Sequence, residues 1–412
     1  RHDDQRRHLK HPERDGHDQG GVMHDHQDKP SSADRRTFLR VGGAAALAAA
    51  AAACAPSASA PPSAAPSGAP TAKPAWETQW DELVAAAKKD GALTIMTGPD
   101  AGYRKALDVF EDKFPGITIN REGARSASIW FPKVQKERQA GVFSFDIMYL
   151  TPGSAIRLAK PEGFWDPIRP MFVRPDVMEE KSWLNGFEAG FLDVEQKFAY
   201  AADYNLEHAV AINTTLVKPD EIKNIKDLLD PKWKGKIFAI EVRNGRNFQA
   251  MGAVRRSQGD AILKQLMVDQ EPVFVRDERI HVEGLIRGQY PVGIGLHPHI
   301  LAEFKAQGVG KEVTYLNLDE ADYVTSDSVF LFNRAPHPNA AKLFINWVLS
   351  REGATAWSTN VGTNSRRSDV PPANELRRGK AGVKYYDPTR ESEHAFVEKT
   401  QQMLYELLGI KN

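Results

Sequence analysis

The chain has 412 residues, of which 41% are hydrophobic and 26% are charged, so it is long enough to bury one or two substantial cores. Its 54 Lys and Arg residues balance its 54 Asp and Glu residues, which argues against a protein that binds nucleic acid or an acidic membrane surface through its overall charge. The one cysteine, Cys54, excludes an intramolecular disulfide, a cysteine-rich zinc site and a thiol pair.

The first 33 residues show no pattern of a folded segment. They are rich in His, Asp, Arg and Gln and have no apolar periodicity. We expect Met23 to be the translational start, with residues 1–22 upstream of it. A His-rich metal-binding segment is the alternative, which the scattered spacing of the histidines disfavours.

An export signal follows. Arg35 and Arg36 precede an alanine-rich apolar run over residues 41–53 that is too short to span a bilayer stably as a helix. This order of charged, apolar and small residues is typical of a signal peptide. The paired arginines, with Asp34 where Ser is common, resemble the twin-arginine signal for export of folded proteins. The alternative is a basic cap on a short buried helix, which no neighbouring segment could cover.

Cys54 closes this signal. Three alanines precede it, with Ala51 where Leu is usual, and the pattern resembles a lipobox, in which the cysteine is acylated and becomes the new N-terminus. Several acyl chains would hold the protein to the membrane stably. Ordinary cleavage nearby, which leaves a free secreted protein, is the alternative. We therefore predict a leader and lipoprotein signal peptide over residues 1–54, and an Ala-, Pro- and Ser-rich tether over residues 55–75 that cannot bury a core.

The folded part begins at residue 76 and alternates helical and strand patterns. In its first stretch, helices are predicted over residues 76–90, 102–114 and 129–140, and strands over residues 92–97, 117–121 and 145–150. Strands separated by helices of this length predict parallel βαβ units, and hence a three-layer α/β lobe.

A second stretch repeats the pattern. Strands are predicted over residues 237–240, 273–275 and 292–296, and helices over residues 247–257, 279–288 and 300–307, with closing helices over residues 339–349, 352–358 and 391–408. Two apolar stretches, residues 199–212 and 323–332, are each predicted to be a long strand that crosses between lobes. We expect residues 76–203 and 324–412 to form the first lobe and residues 204–323 the second, with the C-terminal helices able to pack on the second lobe.

A series of segments, in this order along the chain, carries a resemblance to a known family. They are residues 92–97, 137–141, 145–149, 209–214, 227–236 and 338–348. The chain resembles the extracellular solute-binding proteins of ABC importers, in the two-crossover class that includes iron(III), putrescine, thiamine and phosphonate binders. The resemblance implies an α/β fold of the periplasmic-binding-protein type II, with two three-layer α/β lobes joined by two crossover strands and the ligand in the interlobe cleft.

Candidate ligand residues lie where predicted strands end, because ligands of parallel α/β sheets bind beyond the carboxyl ends of strands, near helix N-termini. They are Thr97, Gly98, Arg125, Ser126, Thr151 and Ser154 in the first lobe, and Asn244, Arg246, Asn247, His297 and His299 in the second. Tyr204 and Asp327, in the crossing strands, are expected to line the cleft floor. Helix capping is the alternative for any single Thr, Ser or Asn, and core packing is the alternative for Tyr204.

The chemistry of these residues favours an anionic solute. Arg125 and Arg246 suit bidentate recognition of a carboxylate or a phosphonate. In the iron(III) binders of the family, two consecutive tyrosines follow the corresponding strand, whereas residues 293–299 hold no tyrosine pair. His297 and His299 leave a softer metal, or a hydrogen bond to an anion, as alternatives.

No motif for catalysis stands out. The sequence has no Gly-x-Ser-x-Gly elbow, no His-Glu-x-x-His and no phosphate-cradling Gly-x-x-x-x-Gly-Lys segment. We therefore predict an exported lipoprotein, periplasmic or at the cell surface, that acts as a monomer, captures a small polar anionic solute by hinge closure and delivers it to an ABC permease. No cofactor and no nucleic-acid partner are expected. The alternatives are a metal-binding member of the same family, a periplasmic hydrolase and a sensor with the same fold.

Overall fold

The computed structural model describes residues 73–124, 127–380 and 382–411. The predicted export signal with Cys54, and the candidate ligand residues Arg125 and Ser126, lie outside the described residues. Within the described part of the chain, no helix is both long enough and apolar enough to cross a membrane.

The described residues alternate between strands and helices. In chain order the strands are β1 Ala92–Thr97, β2 Thr118–Gly123, β3 Ile147–Leu150, β4 Trp165–Asp166, β5 Tyr200–Ala201, β6 Asn205–Glu207, β7 Val210–Asn213, β8 Ile237–Ile240, β9 Val273–Val275, β10 Val292–Ile294, β11 Val313–Tyr315, β12 Tyr323–Thr325 and β13 Ser328–Phe332. The helices are α1 Ala75–Asp90, α2 Ala101–Lys113, α3 Ala127–Gln139, α4 Pro152–Ser154, α5 Gly245–Gln258, α6 Asp260–Lys264, α7 Glu278–Ile286, α8 Pro298–Ala306, α9 Pro338–Leu349, α10 Arg351–Val361 and α11 His394–Leu407.

The first sheet has the strand order β2–β1–β3–β13–β4, and β5 also pairs with β13. Strand β1 runs parallel to β2 and β3, whereas β13 lies antiparallel beside β3. Helices α1, α2, α9 and α10 contribute to one apolar cluster, around Phe110, Phe344 and Trp347. A second cluster joins Trp130 of α3 to Phe330 of β13. We call this layered body the first lobe.

The second sheet has the strand order β11–β7–β10–β8–β9. Strands β8, β9 and β10 are parallel, and β7 is antiparallel to both β10 and β11. One apolar cluster contains Met251 and Val254 of α5, and another contains Val282 and Leu285 of α7. This body is the second lobe, and the predicted α/β class with two lobes is confirmed.

Two chain passes join the lobes through a short antiparallel ribbon of β6 and β12, which we call the hinge ribbon. Its register runs from Glu207 opposite Tyr323 to Asn205 opposite Thr325. The prediction of one unbroken strand over each crossing stretch is wrong, because the first is divided into β5, β6 and β7 and the second into β12 and β13. Each stretch changes its hydrogen-bonding partners as it passes from a sheet into the ribbon, and the breaks fall at these changes.

The C-terminal segment contacts both lobes. Helix α11 packs on α5 of the second lobe, where Leu404 is fully buried. Before it, the backbone N–H of Val324 in the ribbon donates to the carbonyl of Tyr386 at 2.8 Å. Lys160 of the first lobe forms an ion pair with Glu391 at 2.7 Å. The chain after α10 therefore runs along the hinge ribbon and ends on the second lobe.

Candidate ligand-binding site

One face of the hinge ribbon carries a buried carboxylate. Because residues that pair across an antiparallel ribbon point to the same face, Glu207 shares its face with Tyr323, and with Thr325 two residues along. Glu207 accepts hydrogen bonds from Thr325 Oγ1 at 3.2 Å, from Arg246 Nη1 at 2.9 Å and from Arg377 Nη2. Its side chain is only 7% exposed. We call this face of the ribbon, with the groups around it, the cleft face.

The two arginines reach the carboxylate from different parts of the chain. Arg246 lies in the first turn of α5, where the side chain of Asn244 caps the helix and accepts a hydrogen bond from the Arg246 backbone N–H at 3.0 Å. Arg377 ends a single 3-10 turn between α10 and α11. Within that turn, the carbonyl oxygen of Leu376 lies 2.6 Å from Nε2 of His208, which ties the turn to the end of β6.

The cluster carries an excess of positive charge. Burial acts to raise the pKa of Glu207, but the charges of Arg377 and Arg246 outweigh it and hold that pKa below its usual value. The carboxylate is therefore ionised and is shared by two guanidinium groups. Among the described residues, Arg246 uses only one of its five side-chain N–H donors, and the buried Nε of Arg377 has no partner. Such unused donors suit an anionic ligand group.

Two histidines lie beside the arginines, at the N-terminal end of α8. The ring centroids of His297 and His299 are 5.7 Å apart. Burial lowers the pKa of His297 to about 4, and the charge of Arg246 adds to the effect. Burial, Arg377 and Arg246 also lower the pKa of His299. Both rings are therefore neutral at pH 7 and can donate or accept a hydrogen bond without adding charge.

Two phenols complete the second-lobe side, of which Tyr323 is buried and Tyr315 is half-buried. Tyr315 donates to the carbonyl of Leu296 at 3.2 Å, and Tyr323 donates to the carbonyl of Arg246 at 3.5 Å. Burial raises the pKa of both phenols, so neither is a phenolate at neutral pH. In the described part of the chain, no group of three or more His, Cys, Asp and Glu residues is arranged to hold a metal ion.

Asp327 lies where the ribbon meets the first lobe. Its carboxylate accepts hydrogen bonds from Thr151 Oγ1 at 2.9 Å and from Tyr103 Oη at 3.1 Å. Burial raises the pKa of Asp327, although these two hydrogen bonds and the charge of Arg377 act to lower it. Asp327 therefore lies within electrostatic reach of Arg377. The first lobe thus contributes hydroxyl and carboxyl groups at the end of the ribbon that Arg377 influences.

Three of the other predicted residues lie within packed structure. Thr97 is fully buried and donates to the carbonyl of Gly98 at 3.1 Å. A Cβ on Gly98 would come within 2.3 Å of the ring of Tyr103, so a larger residue there would force that ring to move. Asn247 is fully buried, and its side-chain amide donates to the carbonyl of Ile240. These contacts hold the three residues within the packed structure, and their contact with a ligand stays a prediction.

Ser154 and Tyr204 lie apart from the arginines as well. Ser154 is half-buried in the short helix α4. Tyr204 packs with Leu206 and Tyr385 on the face of the ribbon opposite to Glu207. The structure thus brings together Arg246, His297 and His299, joins Thr151 to Asp327, and leaves Tyr204 behind the ribbon.

A cavity of about 1180 Å³ also lies behind the ribbon, lined in part by Tyr204 and Tyr385. Six of the charged side chains that line it form ion pairs with one another. These pairs are Lys380 with Asp319 at 2.7 Å, Arg390 with Asp387 at 3.1 Å, and Arg256 with Glu393. The lining also includes Arg366 and Lys384, which are not in these pairs. We place the candidate site on the cleft face because Arg246 and Arg377 keep donors there that no described residue uses.

The sequence interpretation missed Glu207 and Arg377. Glu207 lies within a stretch that is predicted to be a strand. Alternation along a strand puts Glu207 and Tyr204 on opposite faces, but it does not tell which of the two faces meets the ligand. Arg377 follows a Pro-rich segment with no helical or strand periodicity. Only the path of the chain around the hinge ribbon brings it to the carboxylate.

Residues 105–381 match a protein-family model described as bacterial extracellular solute-binding protein. This match spans well over half of the chain. No curated protein sequence is significantly similar to the chain.

Solved structures share the fold at low sequence identity. Ferric iron-binding protein A of Mannheimia haemolytica, in an open conformation, is 12% identical with a TM-score of 0.61, over 78% of this chain and 100% of that chain. AfuA of Actinobacillus pleuropneumoniae, with bound fructose-6-phosphate, is 20% identical with a TM-score of 0.56, over 78% and 99% of the two chains. PotD, the spermidine/putrescine ABC transporter substrate-binding protein of Streptococcus pneumoniae, is 15% identical with a TM-score of 0.57, again over 78% and 99%. These ligands differ widely in charge, so the shared fold does not identify the ligand here.

Proposed function

Because this chain belongs to the family of bacterial extracellular solute-binding proteins, we propose that it captures a small anionic solute between its two lobes for an ABC importer. The observation that carries the proposal is the convergence of Arg246 and Arg377 on the cleft face. Their guanidinium groups share one carboxylate, that of Glu207, and keep donors that no described residue uses. Oxyanions are the ligands that such donors bind most strongly.

We propose that the neutral rings of His297 and His299 add hydrogen bonds to the same anionic group. Their lowered pKa values favour this role over a further cationic one. Thr151, through its contact with Asp327, belongs to the opposite wall of the site in this proposal. Arg125 and Ser126 remain candidates on that wall from the sequence alone.

Hinge closure is the proposed mechanism of capture. A solute that contacts both Arg246 of the second lobe and Thr151 of the first makes more contacts when the lobes are closed than when they are open. It therefore binds the closed arrangement more tightly and stabilises it. The ribbon of β6 and β12 is short and carries both passes between the sheets, which supports it as the point of bending. The closed form would then dock on a membrane permease, as a monomer held at the cell surface by an acylated Cys54.

The named solved relatives bind ferric iron, a sugar phosphate and polyamines. We propose an anion rather than ferric iron, since the two phenols near the arginines donate to backbone carbonyls and have raised pKa values. An excess of cationic groups beside Glu207 also argues against a polyamine.

A thermal-shift screen of phosphonates, carboxylates, polyamines and ferric complexes tests the proposal. We expect one class of anion to raise the melting temperature and to change the tryptophan fluorescence, with no turnover of the bound solute. Stabilisation by polyamines or ferric complexes alone would contradict anion capture. Consumption of the solute by purified protein would instead favour a periplasmic hydrolase.

A further inference from the structure

Glu207 occupies the place between two arginines where a ligand's own anionic group would be expected. We infer that Glu207 is a built-in counter-anion, which makes the cleft face selective for a solute whose anionic group carries a single negative charge. This inference rests on the proposed function and defines the solute class of the same site. It assigns Glu207 the role of a specificity-determining residue.

The charge balance follows from the contacts. Arg246 and Arg377 are permanently cationic, and each donates to a different oxygen of the one Glu207 carboxylate. Two positive charges and one negative charge leave one positive charge uncompensated within the cluster. A ligand group with one negative charge neutralises it, whereas a second negative charge would have no further cation of this cluster to pair with.

Among the described residues, which do not include Arg125, the groups around this cluster do not supply a second uncompensated cation. The pKa values of His297 and His299 are lowered, which leaves both rings neutral at pH 7. The pKa of His208 is raised, but this ring pairs with Asp322 at 2.7 Å, so its charge is already compensated. Glu278 lies 3.7 Å from Nε2 of His297, and Asp327 lies within the electrostatic influence of Arg377. Both carboxyl groups add negative potential when ionised. The neighbours therefore disfavour a doubly charged anion further.

A ligand is not expected to displace Glu207. The carboxylate is 7% exposed, and Thr325 also donates to it at 3.2 Å. The ligand would instead use the free donors of Arg246, whose side chain is 25% exposed. Glu207 thus remains in place and lowers the charge that the ligand meets.

Ethyl sulfate and ethyl phosphate are suitable probes, because both present tetrahedral oxyanions of similar shape. At pH 8 the sulfate ester carries one negative charge, whereas the phosphate ester carries close to two, since its second pKa is about 6. Isothermal titration calorimetry of the full-length protein measures both affinities. We expect the wild-type protein to bind ethyl sulfate more tightly.

Glu207→Gln removes the charge and keeps a side chain of similar size. We expect it to shift the ratio of the two dissociation constants toward ethyl phosphate by about tenfold, as expected for one unit charge at close range in a partly buried site. Glu283→Gln is the matched control. Glu283 also bridges two arginines, Arg279 at 3.2 Å and Arg287 at 2.8 Å, but on the exposed side of α7. Its replacement is expected to leave the ratio unchanged.

A second measurement serves if Glu207→Gln does not fold. Calorimetry of the wild-type protein in two buffers of different ionisation enthalpy gives the number of protons taken up on binding. A site that accepts one negative charge should take up about one proton with ethyl phosphate at pH 8 and none with ethyl sulfate.

The outcomes separate the two proposals. If neither ester binds to the wild-type protein or to either variant, anion capture at this site fails and the inference fails with it. If both esters bind but the wild-type protein prefers ethyl phosphate without proton uptake, or if the ratio is the same in Glu207→Gln, the counter-anion role is refuted while anion capture stands.

Discussion

Replacement of Arg246 by alanine removes the cation that α5 presents to the cleft face. Its guanidinium donates to Glu207 at 2.9 Å and keeps its other donors for a ligand. A hydrogen bond between charged groups contributes about 1.5 to 3 kcal/mol, so we expect the affinity for the anion found in the screen to fall tenfold or more. The replacement leaves Glu207 with its hydrogen bonds from Arg377 and Thr325.

The loss of one partner of a buried carboxylate should also lower the free energy of unfolding, by about 1 to 3 kcal/mol. Urea unfolding measures this change, and calorimetry at a temperature where the variant is folded measures affinity separately. Arg243→Ala is the control, because Arg243 lies just before α5 but donates to Glu241 and to the carbonyl of Lys411. Unchanged affinity in Arg246→Ala, or an equal loss in Arg243→Ala, would remove Arg246 from the site.

Three further predictions concern the fold and the anchor. Gly98→Ala places a Cβ within 2.3 Å of the Tyr103 ring, so we expect urea unfolding to show a free energy of unfolding about 1 to 3 kcal/mol lower. Gly153→Ala is the control, because a Cβ there has no atom within 4 Å and should leave the free energy of unfolding nearly unchanged. Burial lowers the pKa of His281 from 6.5 to about 4. As the pH falls, the unfolded chain therefore takes up this proton at a higher pH than the folded chain does. This histidine should make the free energy of unfolding fall by about 2 kcal/mol from pH 7 to pH 5. A His281→Phe variant with the same pH dependence would contradict this. Cys54→Ala should move the protein from the membrane fraction to the soluble fraction after cell lysis, and an unchanged distribution would argue against lipid anchoring.

Local signals in the sequence were sufficient for much of the fold. The strands predicted over residues 92–97, 237–240 and 273–275 have the same bounds in the structure. Each is a short apolar run that ends at a polar or turn-forming segment, so its extended conformation follows from neighbouring residues alone. Likewise, the side chain of Asn244 is a local helix cap, and this cap helps to fix the position of Arg246.

The cleft face, in contrast, depends on tertiary structure. A strand with period two does not reveal which of its faces meets the ligand, and the fold turns Glu207 toward the arginines and Tyr204 toward Tyr385. Arg377 follows Glu207 by 170 positions, in a segment without periodicity. No local pattern can encode a contact over such a separation, because its free energy comes from an ion pair that exists only after both lobes and the C-terminal segment have packed around the hinge ribbon.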